Sequence, residues 1–416
     1  MRFLLSPREL IAVAITFALL ANSGEGATSA LNSASLLARD YNIPQGWTNV
    51  SQSSTPPAMA GQMMAYSSKD HRFVLFGGWD GARGLNETWV FDSENRTWTE
   101  LQPPLSPIER GDEMFVYDDQ ADVFILFGGW YEFPNGTYTR LSDTWTFALS
   151  TGTWTERHPA RSPSPRSDAE VAYDPAAGAV LLVGGFSGAT YLGDTWMYSL
   201  ANDTWTPRPG TIQPSPRADG RMVYVPTQDR FILFGGNDYS GPNFTFHHLA
   251  DTWSYDWNSD TWTAIMTAVA PPARDYPVLV VDVNADSLLL TSGYADRTIL
   301  NDLWGFSLRG DGWSDLTAVL SPPARFAGAG GFDLAGNVLV LFGGLGNDGL
   351  LADTWYYRSS PPTASPGILS SAAILGIGVL TVIILAVSIG VILFRRRRMT
   401  AAEESPEARR GPGRAP

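Results

Sequence analysis

The chain has 416 residues, of which 44% are hydrophobic and 17% charged, with 15 tryptophans, 41 glycines, no cysteine and a net charge of −14. Without cysteine there is no disulfide framework, thiolate zinc site, iron–sulfur cluster or cysteine nucleophile, so order must come from a packed core or a repeat. The apolar content excludes a disordered chain, and an acidic chain whose only lysine is Lys69 lacks the clustered cations that a phosphate backbone requires, which argues against nucleic acid as a partner.

Residues 1–23 carry Arg2 and Arg8, then the apolar run from Leu10 to Ala21, then small residues to Ser23, the pattern of a secretory signal. Residues 24–45 read as a linker. The segment Gly46-Trp47-Thr48-Asn49-Val50 opens the structured part, which extends to about Arg358. A short stalk follows at 359–367, stiffened by Pro361, Pro362 and Pro366. Residues 368–394 are uncharged and run straight into Arg395, Arg396, Arg397 and Arg398, as expected of a single membrane-spanning helix with its arginine-flanked end in the cytoplasm. The tail, 395–416, has seven Arg against three Glu, and the signal two Arg against one Glu, which leaves about −19 on the exported part. The expected location is therefore a cell or secretory-pathway membrane, with residues 24–360 on its extracytoplasmic side.

Between these ends lies an internal repeat. The phrase Leu-x-Asp-Thr-Trp recurs at Trp89, Trp145, Trp196, Trp253, Trp304 and Trp355, with Glu87 in place of Asp in the first copy and Leu303 in place of Thr in the fifth. Nine residues later a second Trp follows in five copies, at Trp98, Trp154, Trp205, Trp262 and Trp313. Upstream, an apolar run ends in Gly77-Gly78, Gly128-Gly129, Gly184-Gly185, Gly235-Gly236 and Gly343-Gly344, with Ser292-Gly293 in the fifth copy. Short β-branched and aromatic runs separated by turn residues predict four antiparallel strands per unit. In unit two these are about Glu113 to Tyr117, Phe124 to Phe127, Thr144 to Ala148 and Thr153 to Arg157. A four-stranded sheet cannot bury both faces alone, and radial stacking of six solves this.

The double glycine after an apolar strand, followed by two aromatic residues at fixed spacing, resembles the kelch-repeat family, and the resemblance covers residues 46 to about 358. It implies an all-β, six-bladed propeller. The last unit stops after its third strand, so residues 46–50 are expected to supply the fourth strand of the final blade.

Function is sought in the loops that depart from the repeat. From the second Gly to the Trp of the third strand is 11 residues in four units, 16 in unit two and 17 in unit four. The longer loops contain Tyr131, Phe133 and Tyr138, and Tyr239, Phe244, Phe246, His247 and His248. Trp79, Trp130, Phe186 and Tyr294 directly follow the glycine pairs, and together these twelve residues form the candidate ligand-binding face. Any single residue directly after a glycine pair is expected to pack against the neighbouring unit, so the two inserted loops, which the repeat does not require, are the stronger candidates. Adjacent histidines in extended backbone point apart and make a poor metal pair, so His247 and His248 are expected at a loop tip.

Asp112, Asp168 and Asp219 each stand two residues after Arg110, Arg166 and Arg217. They are expected to pair with those arginines, with calcium binding at the channel mouth as the alternative. Glycosylation sequons stand at Asn49, Asn86, Asn95, Asn135, Asn202 and Asn243. No catalytic residue, metal site or cofactor is assigned. The reading is a surface recognition or adhesion module for a protein or glycan. A carbohydrate-active enzyme of mutarotase or lyase type is the alternative that the resemblance leaves open, and clustered carboxylates with perturbed pKa values would favour it. A purely structural envelope protein is a third reading.

Overall fold

The computed structural model describes residues 41, 43–210, 212–240 and 245–359. These form strands and turns without a helix. Among the described residues no helix is long and apolar enough to cross a membrane. The predicted signal, the span 368–394 and the tail lie outside them, as does most of the linker and the stalk.

Six four-stranded antiparallel sheets each hold one sequence unit. In unit two the strands are Met114–Asp118, Val123–Phe127, Thr144–Ala148 and Thr153–Arg157, so the first runs one residue later than expected. Asp118 ends it by accepting the backbone N–H groups of Gln120 and Ala121, a turn device repeated at Asp174, Asp282 and Asp333. The first strands of successive units are neighbours, and that of unit six, Ala329–Asp333, neighbours that of unit one, Met63–Ser67. The sheets thus follow one another around a closed circuit, the arrangement of a β-propeller built from repeated sheets. The sixth sheet takes its outermost strand from the chain start: Gly46–Asn49 pairs with Thr354–Arg358, placing Trp47 opposite Tyr357.

The core lies between the sheets. Six apolar clusters each combine residues of two adjacent units, and each contains one fourth-strand tryptophan. The indole N–H of that tryptophan also crosses to the preceding unit, where it donates to the Thr of the Asp-Thr-Trp phrase. The pairs are Trp98 to Thr354, Trp154 to Thr88, Trp205 to Thr144, Trp262 to Thr195 and Trp313 to Thr252, at 3.0 to 3.3 Å. Trp47 would need Thr where the fifth unit has Leu303, and its indole N–H has no hydrogen-bond partner.

The glycine pair answers a second contact between units. The second glycine of each pair donates its N–H to the carbonyl of the arginine that begins the next unit, as in Gly129 to Arg166, and Gly344 closes the circuit onto Met59. Gly128 has φ of 62°, and a Cβ there would stand 2.6 Å from the Arg166 carbonyl oxygen. Only glycine meets both demands without strain.

Candidate functional site at the mouth of the circuit

Strands alternate in direction, so the turns joining second to third strands and the connections between units emerge at one end of the circuit, and the remaining turns at the other. The residue following each glycine pair stays extended and pairs with the residue that follows the recurring arginine. These pairs are Trp79 with Ala60, Trp130 with Gly111, Phe186 with Ser167, Asn237 with Ala218, Tyr294 with Asp275 and Leu345 with Phe326. The candidate residues are thereby held close to the start of the first strands. Trp130 lies directly on Gly111, where a Cβ would approach its ring to 2.7 Å.

The two long loops are hairpins. Trp130–Glu132 pairs with Tyr138–Arg140, and Asn237–Ser240 with Thr245–His248. This corrects the expected tip position of the histidines: they sit at the hairpin base, with His248 opposite Asn237 and His247 opposite Asp238. Alternation does send them apart. His247 Nδ1 is 3.1 Å from Asp238 Oδ1, whereas the His248 ring contacts Phe246 and Tyr294, and its Nδ1 lies 3.3 Å from Asp275 Oδ2. Burial lowers the His248 pKa, so its ring is neutral there. Phe244 and Asn243 lie outside the described residues.

The aromatic residues form an arc across four units. Ring contacts run from Phe186 to Tyr191, Tyr239, Phe246, His248, Tyr294 and Phe326, at 4.9 to 6.1 Å between centroids, and Arg140 caps the Phe186 face. Trp130 and Tyr138 form a further edge-to-face pair, and Tyr131 another with Phe133. Tyr138, Tyr239, Phe133 and Phe246 are exposed. Beside the arc lies a pocket of about 230 Å³, walled by Trp79, Trp130, Tyr138, Tyr276, Phe326 and Leu345 and floored by Gly61, Asp112 and Ala327.

The floor is part of a ring of backbone that runs through all six units. Gly61, Asp112, Asp168, Asp219, Tyr276 and Ala327 occupy equivalent places in the six units, all with φ between 51° and 70°. Asp112 donates its N–H to Gly61, Asp168 to Asp112, Asp219 to Asp168, Tyr276 to Asp219, and Gly61 to Ala327. The left-handed turn sends the three aspartates toward one another, which overturns the expectation that they pair with Arg110, Arg166 and Arg217. Those guanidiniums run the other way, to the Asp of the Asp-Thr-Trp phrase: Arg110 to Asp143, Arg166 to Asp194 and Arg217 to Asp251, at 2.7 to 2.8 Å. Arg274 and Arg325 hold Asp302 and Asp353 likewise.

Clustering away from water raises the ring carboxyls. Burial and the charge of Asp168 push Asp112 up to about 8. Burial and neighbouring Asp219 raise Asp168 well above its ordinary value, while Asp219 stands at about 7 and Asp275 at about 6. Asp168 and Asp219 bond to each other, an arrangement that needs a proton between them. Trp130 Nε1 donates to Asp112 Oδ2 at 2.7 Å, Ser167 Oγ to Asp168 Oδ2, and Asn237 Nδ2 to both Asp219 and Asp275. No group of three or more His, Asp or Glu among the described residues is arranged to hold a metal ion.

Sequence reading missed Tyr191, Asn237, Asp275, Tyr276 and Phe326. The last three had a signal: the position after the recurring arginine is Ala, Gly or Ser in four units but Asp275 and Phe326 in the others, and Tyr276 occupies an aspartate position. The described sequon residues Asn49, Asn86, Asn95, Asn135 and Asn202 are all exposed.

A family model described as the KLHDC2/KLHL20/DRC7 Kelch-repeats domain matches residues 13–212 and 207–361. The chain is 22% identical to Mei4-dependent protein 6 of Schizosaccharomyces pombe over 68% of its own length and 45% of the relative's. It is 26% identical to Kelch-like protein terF of Aspergillus terreus over 54% of its length and 48% of the relative's. It is 25% identical to F-box/kelch-repeat protein At1g51550 of Arabidopsis thaliana over 72% and 66%. The chain thus spans about half to two thirds of the length of these relatives.

Proposed function

The chain belongs to the kelch-repeat domain family, and on that premise we propose that it is a six-bladed propeller that recognises a protein partner through the face bearing the two long hairpins. The observation that carries this is the aromatic arc from Phe186 to Phe326, with the exposed rings of Tyr239 and Phe246 rising from a hairpin that the repeat does not require. Large, stiff aromatic side chains supply contact area at little entropic cost. The connections between units add Met266, Val269, Val319 and Leu320, all exposed, to the same end of the circuit.

The carboxylates do gather with raised pKa values, the feature set out above as favouring an enzyme. Asp112, Asp168 and Asp219 are nonetheless held within the backbone ring by Trp130, Ser167 and Asn237, and none of the three relatives named bears an enzyme's name. We further place the propeller outside the cell, held by the span 368–394. The support is the uncharged run ending in four arginines and the apolar run after Arg8.

The test is crosslinking of the full-length chain to its neighbours in intact cells, beside a Tyr239→Ala, Phe246→Ala variant. A partner captured by the parent and lost from the variant supports the reading. Equal capture by both overturns the assignment of this face.

A further inference from the structure

We propose that the pocket at the mouth of the circuit receives a cationic side chain, arginine or lysine, presented by the protein partner. The inference rests on the recognition reading and names the chemistry of what is recognised.

The walls of the pocket are aromatic, from Trp79, Trp130, Tyr138, Tyr276 and Phe326, and its floor carries Asp112. Aromatic faces attract a cation through their quadrupole, and Trp does so best. Asp112 beneath them is held as the neutral acid while the pocket is empty. An entering cation favours its ionised form, so the carboxyl gives up its proton and supplies the counter-charge. Asp168 and Asp219 follow Asp112 around the backbone ring, and Asp275 joins them through Asn237.

Further groups at the ring have acceptor capacity to spare. Asn237 is 2% exposed and Asp275 3%, yet Asn237 Oδ1 and Asp275 Oδ1 have no hydrogen-bond partner. Buried oxygens of this kind are costly to leave unpaired. A guanidinium or ammonium group, which only donates, suits the free acceptors of Asn237 and Asp275, which stand next to the pocket residue Tyr276. Arg140 and Arg221 act on the cluster from the side. The 230 Å³ of space accommodates one such head group and not a folded segment.

The experiment is calorimetric titration of the full-length protein in detergent micelles with Nα-acetylarginine amide and with the citrulline analogue, which keeps the shape and lacks the charge. The arginine amide should bind saturably and the citrulline amide at least about tenfold more weakly. Asp112→Asn, which keeps an acceptor for Trp130, should weaken the arginine amide by about tenfold, and Tyr138→Ala, at an exposed site, should weaken it with the fold intact. Equal binding of the two amides, or no binding of the arginine amide, overturns the inference. So does unchanged affinity in a folded Asp112→Asn protein. Should the crosslinked partner depend on Tyr239 and Phe246 while the arginine amide fails to bind, the recognition reading stands and this inference falls.

Discussion

The guanidinium of Arg166 is wholly buried and forks onto the carboxylate of Asp194, with Nη1 2.7 Å from Oδ1 and Nη2 3.0 Å from Oδ2. The same guanidinium donates to the Gly184 carbonyl, while Trp196 Nε1 donates to Asp194 at 2.6 Å. One clasp therefore ties together the start of the first strand, the end of the second and the start of the third, and this is why Arg, Gly-Gly and Asp-x-Trp recur as a set. Unit one lacks both partners, with buried Met59 and with Glu87 in their places.

Breaking the clasp from one side leaves a buried cation without its carboxylate. Asp194→Ala is expected to destabilise the fold by roughly 2–4 kcal/mol in chemical denaturation. A double change, Arg166→Met with Asp194→Glu, copies unit one and should recover most of that loss. Failure of the double variant to improve on the single one would refute the account of the set.

The bond between Trp and Thr of adjacent units has an internal control in Trp47. Replacing Trp154, Trp205 or Trp313 by Phe removes ring volume and a hydrogen bond; replacing Trp47 removes volume alone. The first three substitutions should each cost about 1 kcal/mol more than Trp47→Phe. Equal losses at all four positions would show that the bond contributes nothing.

Stability should depend on pH in a direction set by the central ring. Asp112, Asp219 and Asp275 have folded-state pKa values of about 8, 7 and 6, above the ordinary carboxylate value. A raised folded pKa contributes stability that is complete below the unfolded pKa, about 4, and is lost as pH climbs through the folded values. Burial also pushes Asp143, Asp194, Asp251 and Asp353 up, but their arginine partners outweigh it and hold them below the ordinary range, so their contribution disappears on acidification. The melting temperature should therefore peak in mild acid and fall between about pH 5 and 8, and Asp112→Asn should flatten that fall. A melting temperature that rises steadily to pH 8 would contradict the assignment.

Closure by Gly46–Asn49 predicts that the circuit fails without it. Deleting residues 30–52 removes Trp47 from the cluster between units five and six and bares the edge of Thr354–Arg358. The deletion should abolish the cooperative melt of the full chain, followed by circular dichroism. A truncated chain melting at the parent temperature would sink the idea.

The repeat was legible because its signals are local. Strand periodicity, the glycine pair and the second tryptophan lie close together in each unit, and they define both the sheets and the joining of Gly46–Asn49 to the last one. The candidate face was partly legible, since the hairpins bearing Trp130, Tyr138, Tyr239 and Phe246 appear as insertions. The ring of aspartates was misread because its geometry depends on φ at Asp112, Asp168 and Asp219, which turns carboxylates away from arginines only two residues distant. Sequence proximity suggested that pairing, and the left-handed backbone undid it. Tyr191 and Asn237 were missed because each departs singly from its repeat position and its role shows only in contacts that cross to the next unit, Tyr191 to Tyr239 and Asn237 to Asp275.

The most direct measurement is crosslinking of the full-length chain in intact cells, parent beside Tyr239→Ala, Phe246→Ala, with both proteins first confirmed as folded by their melts. The account predicts a discrete partner on the parent that is absent from the variant, because both substituted rings are exposed on the hairpin face. The same partner recovered at the same yield from both would contradict the claim that this face is where the protein is read.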